Sequence, residues 1–467
     1  MLRRVLAVLG LLVGLAGGVW AIGEALPIIG APTLNDPYFP NLGNGGYDVR
    51  HYDIALEAAV LTDDIRAEVL IDATATDVLG AFNLDFAGFD VLEVTVNDQP
   101  ATIARNGREL TITPSQPLAA GLPFVVRVAY EGRPSDNRGL ALYPFAAGWH
   151  NYGRGIYVAS EPDGSSLWYP SNDHPQDKAT YSFTITVPQP HVVATNGLLQ
   201  EVLEGDGVWT YVWQASDPMA SYLTTVNIAE FVVEEGVTAQ GLPIRNYYPS
   251  GREEALSPVF ARTEEMIAFY TDLIGTYPFE AYGVVVADTN LPFALETQTL
   301  SLFGRDIVRA YDAEDVVAHE LVHQWFGNSV SPATWRDIWL NEGFATYLAA
   351  MWTEHAHGRQ AFERVMRSYY NDISNPQATA ASRPIIGDPS PSEMFSYLVY
   401  YRGAWALHDL RETVGDDVFV QILRTYYARY QYSHATIADF IAVAESVSGR
   451  DLKAFFQAWL YEREMPR

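Results

Sequence analysis

The order of apolar and polar positions divides the chain into two stretches of different period. From Val49 to about Glu235 apolar residues alternate over short runs, as in Tyr52-Asp53-Ile54-Ala55-Leu56, Val91-Leu92-Glu93-Val94-Thr95-Val96 and Tyr181-Ser182-Phe183-Thr184-Ile185-Thr186-Val187. A period of two, with turns such as Asn106-Gly107 between the runs, predicts antiparallel strands in a β sandwich. Beyond Gly236 helical spacing takes over. Residues 257–274 space Phe260, Ile267, Tyr270 and Leu273 as a helix would, with Ser257 as cap and Pro258 as first residue. Further helices are predicted over residues 312–326, 335–355, 392–414, 417–430, 436–447 and 452–460, and strands over 282–287 and 297–303. The reading is an α+β chain of two domains: an N-terminal antiparallel β domain over 48–235 and a mainly helical domain over 236–467.

Two N-terminal segments stand outside this pattern. Arg3 and Arg4 precede an uncharged run over residues 5–23 with small residues at its end, the form of a secretory signal. The same run is long enough to be an uncleaved membrane anchor. Either way the following chain is expected outside the cell, secreted or held at the outer face of the membrane. Residues 24–47 are rich in Pro, Gly and Asn and read as a linker.

Composition narrows the function. The 467 residues carry 57 acidic against 29 basic side chains, a net charge of -28 that repels nucleic acid. Only two of the basic residues are lysine, Lys178 and Lys453. With no cysteine there are no disulfides and no thiolate metal sites. Histidine and carboxylate remain as metal ligands, and one stretch has them at the right spacing.

That stretch is His319-Glu320-Leu321-Val322-His323. Residues four apart share a helix face, so two imidazoles can take two corners of a zinc tetrahedron while Glu320 holds a water. Eighteen residues intervene before Glu342, enough for a turn and a second helix to return a carboxylate as third ligand. Two His and one Glu leave a fourth position for water, as in a catalytic rather than a structural zinc site. Thr346, one turn beyond Glu342, either supports a ligand or is an ordinary surface or core threonine. The other eight histidines form no second metal spacing.

The chain resembles the aminopeptidase N and leukotriene hydrolase family of gluzincin metallopeptidases. The zinc motif continues into Gln324-Trp325, and Asn341-Glu342-Gly343-Phe344-Ala345 is similar to the family's third-ligand motif. Trp168-Tyr169-Pro170-Ser171-Asn172-Asp173-His174-Pro175 resembles its Pro-Cys-x-Asp-x-Pro segment with Ser171 for Cys, and Tyr400-Tyr401-Arg402-Gly403-Ala404 its Tyr-x-Lys-Gly-Ala motif. The resemblance implies a β saddle followed by a thermolysin-like domain holding one zinc ion on His319, His323 and Glu342. It also implies Glu320 as general base and Tyr400 as oxyanion donor, Tyr401 being its neighbour on a helix where only one of the two can face the metal. Phe293-Ala294-Leu295-Glu296-Thr297-Gln298 resembles the family's Gly-x-Met-Glu-Asn strand. There Ala294 and Leu295 would pair with an extended substrate and Glu296 would take its free amine. Glu161, in Val158-Ala159-Ser160-Glu161, resembles the second amine ligand, with Ala159 for Gln. Phe293 for Gly and Thr297 for Asn alter the contacts around the first substrate residue. Larger members of the family continue into further domains, so a more open cleft is expected here.

The expected function is a zinc aminopeptidase releasing N-terminal residues from peptides with a free N-terminus. An endopeptidase using the same zinc site in an open cleft is the alternative within that chemistry. A non-catalytic, zinc-braced surface binding protein is the alternative outside it.

Overall fold

The computed structural model describes residues 26–137, 147–310, 313–374 and 385–466. The signal or anchor expected at 5–23 lies outside them, and among the described residues no helix is long and apolar enough to cross a membrane.

The alternating runs of the first half form an eight-stranded sheet. Its order is Leu198–Glu204, Val208–Ala220, Lys178–Pro188, Tyr47–Ala59, Asp64–Ala75, Pro123–Gly132, Asp90–Val96 and Gln99–Pro100. Every pairing is antiparallel except that of Lys178–Pro188 with Tyr47–Ala59. Lys178–Pro188 buries every second side chain, the signature of a sheet with one face on a core. Two four-stranded sheets cover that face. One of them, Gly148–Asn151, Gly155–Ala159, Val226–Ala229 and Val192–Thr195, leads at its second strand into Glu161.

A five-stranded mixed sheet opens the second half: Phe231–Val237, Pro243–Pro249, Tyr282–Ala287, Ser301–Gly304 and Ala294–Leu295. Because Phe231–Val237 pairs with Pro243–Pro249, the chain changes sheets near Glu230, a few residues before the boundary that the sequence pattern suggested at 235. The described residues of this half form seven longer helices: α1 (Thr263–Leu273), α2 (Ala313–Val322), α3 (Trp339–His357), α4 (Arg359–Ile373), α5 (Tyr397–Val414), α6 (Asp416–Tyr430) and α7 (Ile437–Ser448). Helix α3 is buried along its first fifteen residues and forms the axis on which the others pack. Local signals set several ends. Ser396 caps α5, a Thr436–Asp439 capping box starts α7, and left-handed Gly449 ends it.

Three expectations need correction. The single helix over 257–274 is broken: Glu253–Leu256 is helical, Ser257–Phe260 is a 3-10 turn, and α1 starts only at Thr263. Ser257 binds Glu234 instead of capping. Helix α4 was not anticipated, although Phe362, Met366 and Ile373 bury one side of it. Finally, the segment read as a linker is a docked part of the fold over its described residues, 26–47. Ile28–Ile29 pairs with Leu79–Asp85, and Phe39 packs edge-on against Trp335 with ring centroids 6.2 Å apart.

Asp36 explains why so polar a segment is fixed. Its buried carboxylate accepts hydrogen bonds from the amides of Tyr38 (2.7 Å), Phe39 (3.0 Å) and Trp335 (2.8 Å), and lies 3.2 Å from Nε2 of His174. Burial pushes its pKa up, but His174 and these amides outweigh burial and hold it below the usual carboxylate range. One side chain thus ties the N-terminal segment, the β domain and the helical domain together. Asp36→Ala is expected to cost about 3 kcal/mol of unfolding free energy in a urea titration, because it leaves buried donors without an acceptor. A loss below about 1 kcal/mol would contradict this account.

Candidate active site

Helix α2 carries His319 and Glu320, and the turns after it return His323 to the same face. The imidazole Nδ1 of His323 lies 3.0 Å from the Phe326 carbonyl, a contact that fixes the tautomer with Nε2 toward the cavity. Gly327 permits this turn: it takes φ +120, and a Cβ there would lie 3.0 Å from Nδ1 of His323. Helix α3 packs against α2 and brings Glu342 opposite.

The three donor atoms fit one small tetrahedral cation. Nε2 of His319 and Nε2 of His323 are 3.0 Å apart, and Oε2 of Glu342 lies 3.4 Å and 3.6 Å from them. Zinc bonds of about 2.0–2.1 Å at tetrahedral angles require donor separations of about 3.3 Å. The set therefore has the size and the nitrogen–oxygen chemistry of a three-ligand zinc site.

Three further carboxyls crowd the same space. Oxygens of Glu161, Glu296 and Glu342 lie within 4.8 Å of one another. Oε1 of Glu161, Oε1 of Glu296 and Oε2 of Glu320 are buried without a hydrogen-bond partner. Burial raises the pKa of Glu161 well above the carboxylate range, and Glu296, Glu342 and Glu320 add to the effect. Burial likewise raises Glu320, with Glu296 and Glu342 adding and His323 opposing. Glu296 is raised by burial against the pull of His323. Glu342 alone is lowered: burial works against its charge, but the two histidines prevail. Such a constellation is built to receive cations, since positive charge among these groups favours their ionised forms.

Each carboxyl is placed by a different element. Glu161 follows the strand Gly155–Ala159 of the β domain. Glu296 follows the short edge strand Ala294–Leu295, and its main-chain carbonyl accepts from Gln324 Nε2 (3.1 Å) and Asn328 Nδ2 (2.6 Å). The continuation of the zinc motif thus holds Glu296 in place. Ala294 lines the cavity, whereas Leu295 turns its side chain into the core. Thr346 also lines the cavity, but its hydroxyl has no hydrogen-bond partner and does not support Glu342.

Tyrosines close another side. The ring of Tyr400, on α5, lies parallel to that of His319 with centroids 5.9 Å apart. Tyr401 stacks instead on Tyr369 of α4 at 4.3 Å. Both border the cavity, of about 610 Å³, and their different partners resolve which of the two stands beside the imidazoles. The wall provided by α4, with Val365 and Tyr369, was missed in the sequence together with the helix that carries it. The segment around Ser171 stays away from the cavity. Its Asn172 exchanges hydrogen bonds with Asn44 of the N-terminal segment, and Asp173 donates its amide to Asp85 within the β domain.

Comparison with known proteins agrees with this geometry. The family model described as the peptidase family M1 domain matches residues 260–459, and that of the peptidase M1 N-terminal domain matches residues 49–223. The chain belongs to peptidase family M1. The M1 zinc metallopeptidase of Deinococcus radiodurans superposes with a TM-score of 0.86 at 29% identity, over 93% of this chain and 98% of that one. Glutamyl aminopeptidase of Bitis rhinoceros is 24% identical over 89% of this chain and 46% of its own length. The human glutamyl aminopeptidase is 28% identical over 73% and 39%. The chain thus spans about half the length, or less, of the curated relatives it matches.

The donor set predicts one zinc per chain. Elemental analysis of Glu342→Ala is expected to show that zinc lost after dialysis, while a retained equivalent would exclude this group as the site.

Proposed function

We propose that the chain is a zinc aminopeptidase that binds the free amine of a peptide and removes its first residue. The observation that carries the reading is the pair of buried carboxyl oxygens on Glu161 and Glu296 that make no hydrogen bond, beside the two-His, one-Glu set. A substrate ammonium offers the hydrogen-bond donors and the positive charge those oxygens lack. Two relationships support it. Curated relatives are named aminopeptidases, and a mutant of the Deinococcus radiodurans protein has been crystallised with a Tyr-Ser-Ala substrate.

His319, His323 and Glu342 would hold the metal. Zinc supplies Lewis acidity there, polarising the peptide carbonyl and lowering the pKa of water towards about 7. The side chains supply the rest. Glu161 and Glu296 anchor the amine and so limit how far the chain enters, which selects the first peptide bond. Glu320 takes the proton of the attacking water at Oε2 and passes it to the leaving amine. The Tyr400 hydroxyl donates a hydrogen bond to the carbonyl oxygen as negative charge grows there. The carboxylates around the cavity, with no lysine or arginine among its described lining residues, favour a cationic first residue over an acidic one.

Glu320→Gln should lower kcat by about 10²- to 10⁴-fold with zinc still bound, and unchanged activity would end the mechanism. A peptide and its N-acetylated twin separate exopeptidase from endopeptidase action: the acetylated form should resist cleavage, and equal rates would exclude the aminopeptidase reading. Among aminoacyl 4-nitroanilides, the arginyl compound is expected to exceed the glutamyl compound in kcat/KM by at least about 10-fold, reflecting charge repulsion of about 1.4 kcal/mol.

The basic-then-apolar N-terminal pattern supports a location outside the cell, either secreted or anchored. Sequencing the N-terminus of the mature protein tests this, a start near Ile22 meaning a cleaved signal.

A further inference from the structure

Tyr400 is supplied by a helix that contributes no other proposed catalytic or zinc-binding group. His319, Glu320 and His323 come from α2 and the turns after it, and Glu342 comes from α3. Tyr400 reaches in from the first turn of α5. Its distance from the other groups is therefore set where α5 crosses α3, and each helix places a glycine at that crossing. Gly343 directly follows Glu342, and Gly403 lies three residues after Tyr400, on the same side of α5.

The two backbones touch. A Cβ added to Gly403 would stand 2.8 Å from Cα of Gly343. One added to Gly343 would stand 3.0 Å from Cα and 3.1 Å from the carbonyl carbon of Gly403. The Trp339 ring closes the gap at 3.1 Å and 3.8 Å from the same two positions. Ordinary contact begins near 3.4 Å, and the neighbours here are main chain and a buried ring, so one methyl group forces the helices apart. Away from the crossing, Arg402 pins the same turn of α5. Its guanidinium donates to the main-chain carbonyls of Ala458 (3.0 Å), Trp459 (2.9 Å), Glu462 (2.6 Å), Arg463 (3.1 Å) and Glu464 (3.0 Å).

We infer that Gly343 and Gly403 are positioning residues for Tyr400, their contact setting how far its hydroxyl stands from the scissile carbonyl. This rests on the role proposed above for Tyr400. A hydrogen bond to a developing oxyanion loses most of its value within several tenths of an ångström, and a misplacement of about 1 Å costs up to about 100-fold in rate. A merely tight crossing would affect stability without singling out one hydroxyl.

A double-mutant cycle with arginyl 4-nitroanilide distinguishes the two. Tyr400→Phe is expected to lower kcat about 100-fold. Gly403→Ala is expected to lower it about 10-fold or more, with KM within about twofold and one zinc per chain retained. In the Tyr400→Phe background Gly403→Ala should then change kcat by less than about twofold, since the group it displaces is gone. Multiplicative losses, or no loss from Gly403→Ala alone, overturn the inference while leaving the role of Tyr400 standing. An unchanged kcat in Tyr400→Phe overturns that role, and the inference with it. If Gly403→Ala yields no folded, zinc-loaded protein, Gly343→Ala inserts the wedge from the other helix. The cycle is then run there under the same criteria.

Discussion

The burial of four glutamates around two imidazoles, with no lysine or arginine among the described residues of the cavity wall, is the constraint on which the rest of this structure depends. Like charges packed this closely oppose one another, and burial removes the water that would screen them. Burial first, and then the neighbouring carboxylates, raise the pKa values of Glu161, Glu296 and Glu320. Only cations can relieve it, and the site has room for two kinds. The imidazoles and Glu342 have the spacing of a zinc site, and Glu161 with Glu296 forms the amine site proposed above. The electrostatic stress that makes the empty cavity unfavourable is what makes it selective.

A cavity under such stress needs rigid walls, and the sequence after the second histidine supplies them. Gln324 bridges the amide of Thr299 and the carbonyl of Glu296, and Asn328 holds the same carbonyl. Trp325 donates from its indole to the Gly275 carbonyl, anchoring the turn after α2 to the end of α1. Lys178, on a β-domain strand, donates to the carbonyls of Asn328 and Ser329 at 2.8 Å each, and burial pulls its pKa down to about 7. Gln324, written as part of the zinc motif, is here a bracket for the proposed amine site.

Much of this was legible in the chain because the chemistry is local or its spacing is fixed. His319 and His323 share one helical face by sequence alone, with Glu320 beside the first, and the helix bearing Glu342 follows within the next twenty residues. Tyr400 was separable from Tyr401 only through the family's register; in space the choice shows in their partners, His319 for one and Tyr369 for the other. What the sequence hid were relations between distant residues. Asp36 sits in a stretch whose prolines and glycines look like a tether, yet His174 and the amide of Trp335, both far away in the chain, join the local amides of Tyr38 and Phe39 in fixing it. The contact of Gly343 with Gly403 joins two motifs that read as separate signatures. Helix α4 was overlooked because its polar face outweighs the thin apolar stripe it buries.

The β domain has a part in this that its sheets alone do not suggest. Among the described residues Glu161 is its one carboxylate in the cavity, and Glu296 faces it from the helical domain, so the proposed amine site exists only while the domains hold their present distance. The links across that boundary are short, two of them buried and one part-buried. Tyr222 donates to the Gly327 carbonyl at 2.9 Å, Gln176 to the Ala333 carbonyl at 2.6 Å, and Asn196 to the Gln298 carbonyl at 2.7 Å. All three acceptors lie on the segments that flank the catalytic groups: the turn after His323, the approach to α3, and the stretch after Glu296. The helical domain holds the candidate ligands, the base and Tyr400, but without Glu161 it would lack half of the site that recognises a peptide's first amine. If the proposed function holds, the interface decides where in a substrate the zinc chemistry acts, and the hydrogen bonding concentrated at this boundary keeps the two carboxylates at their present distance.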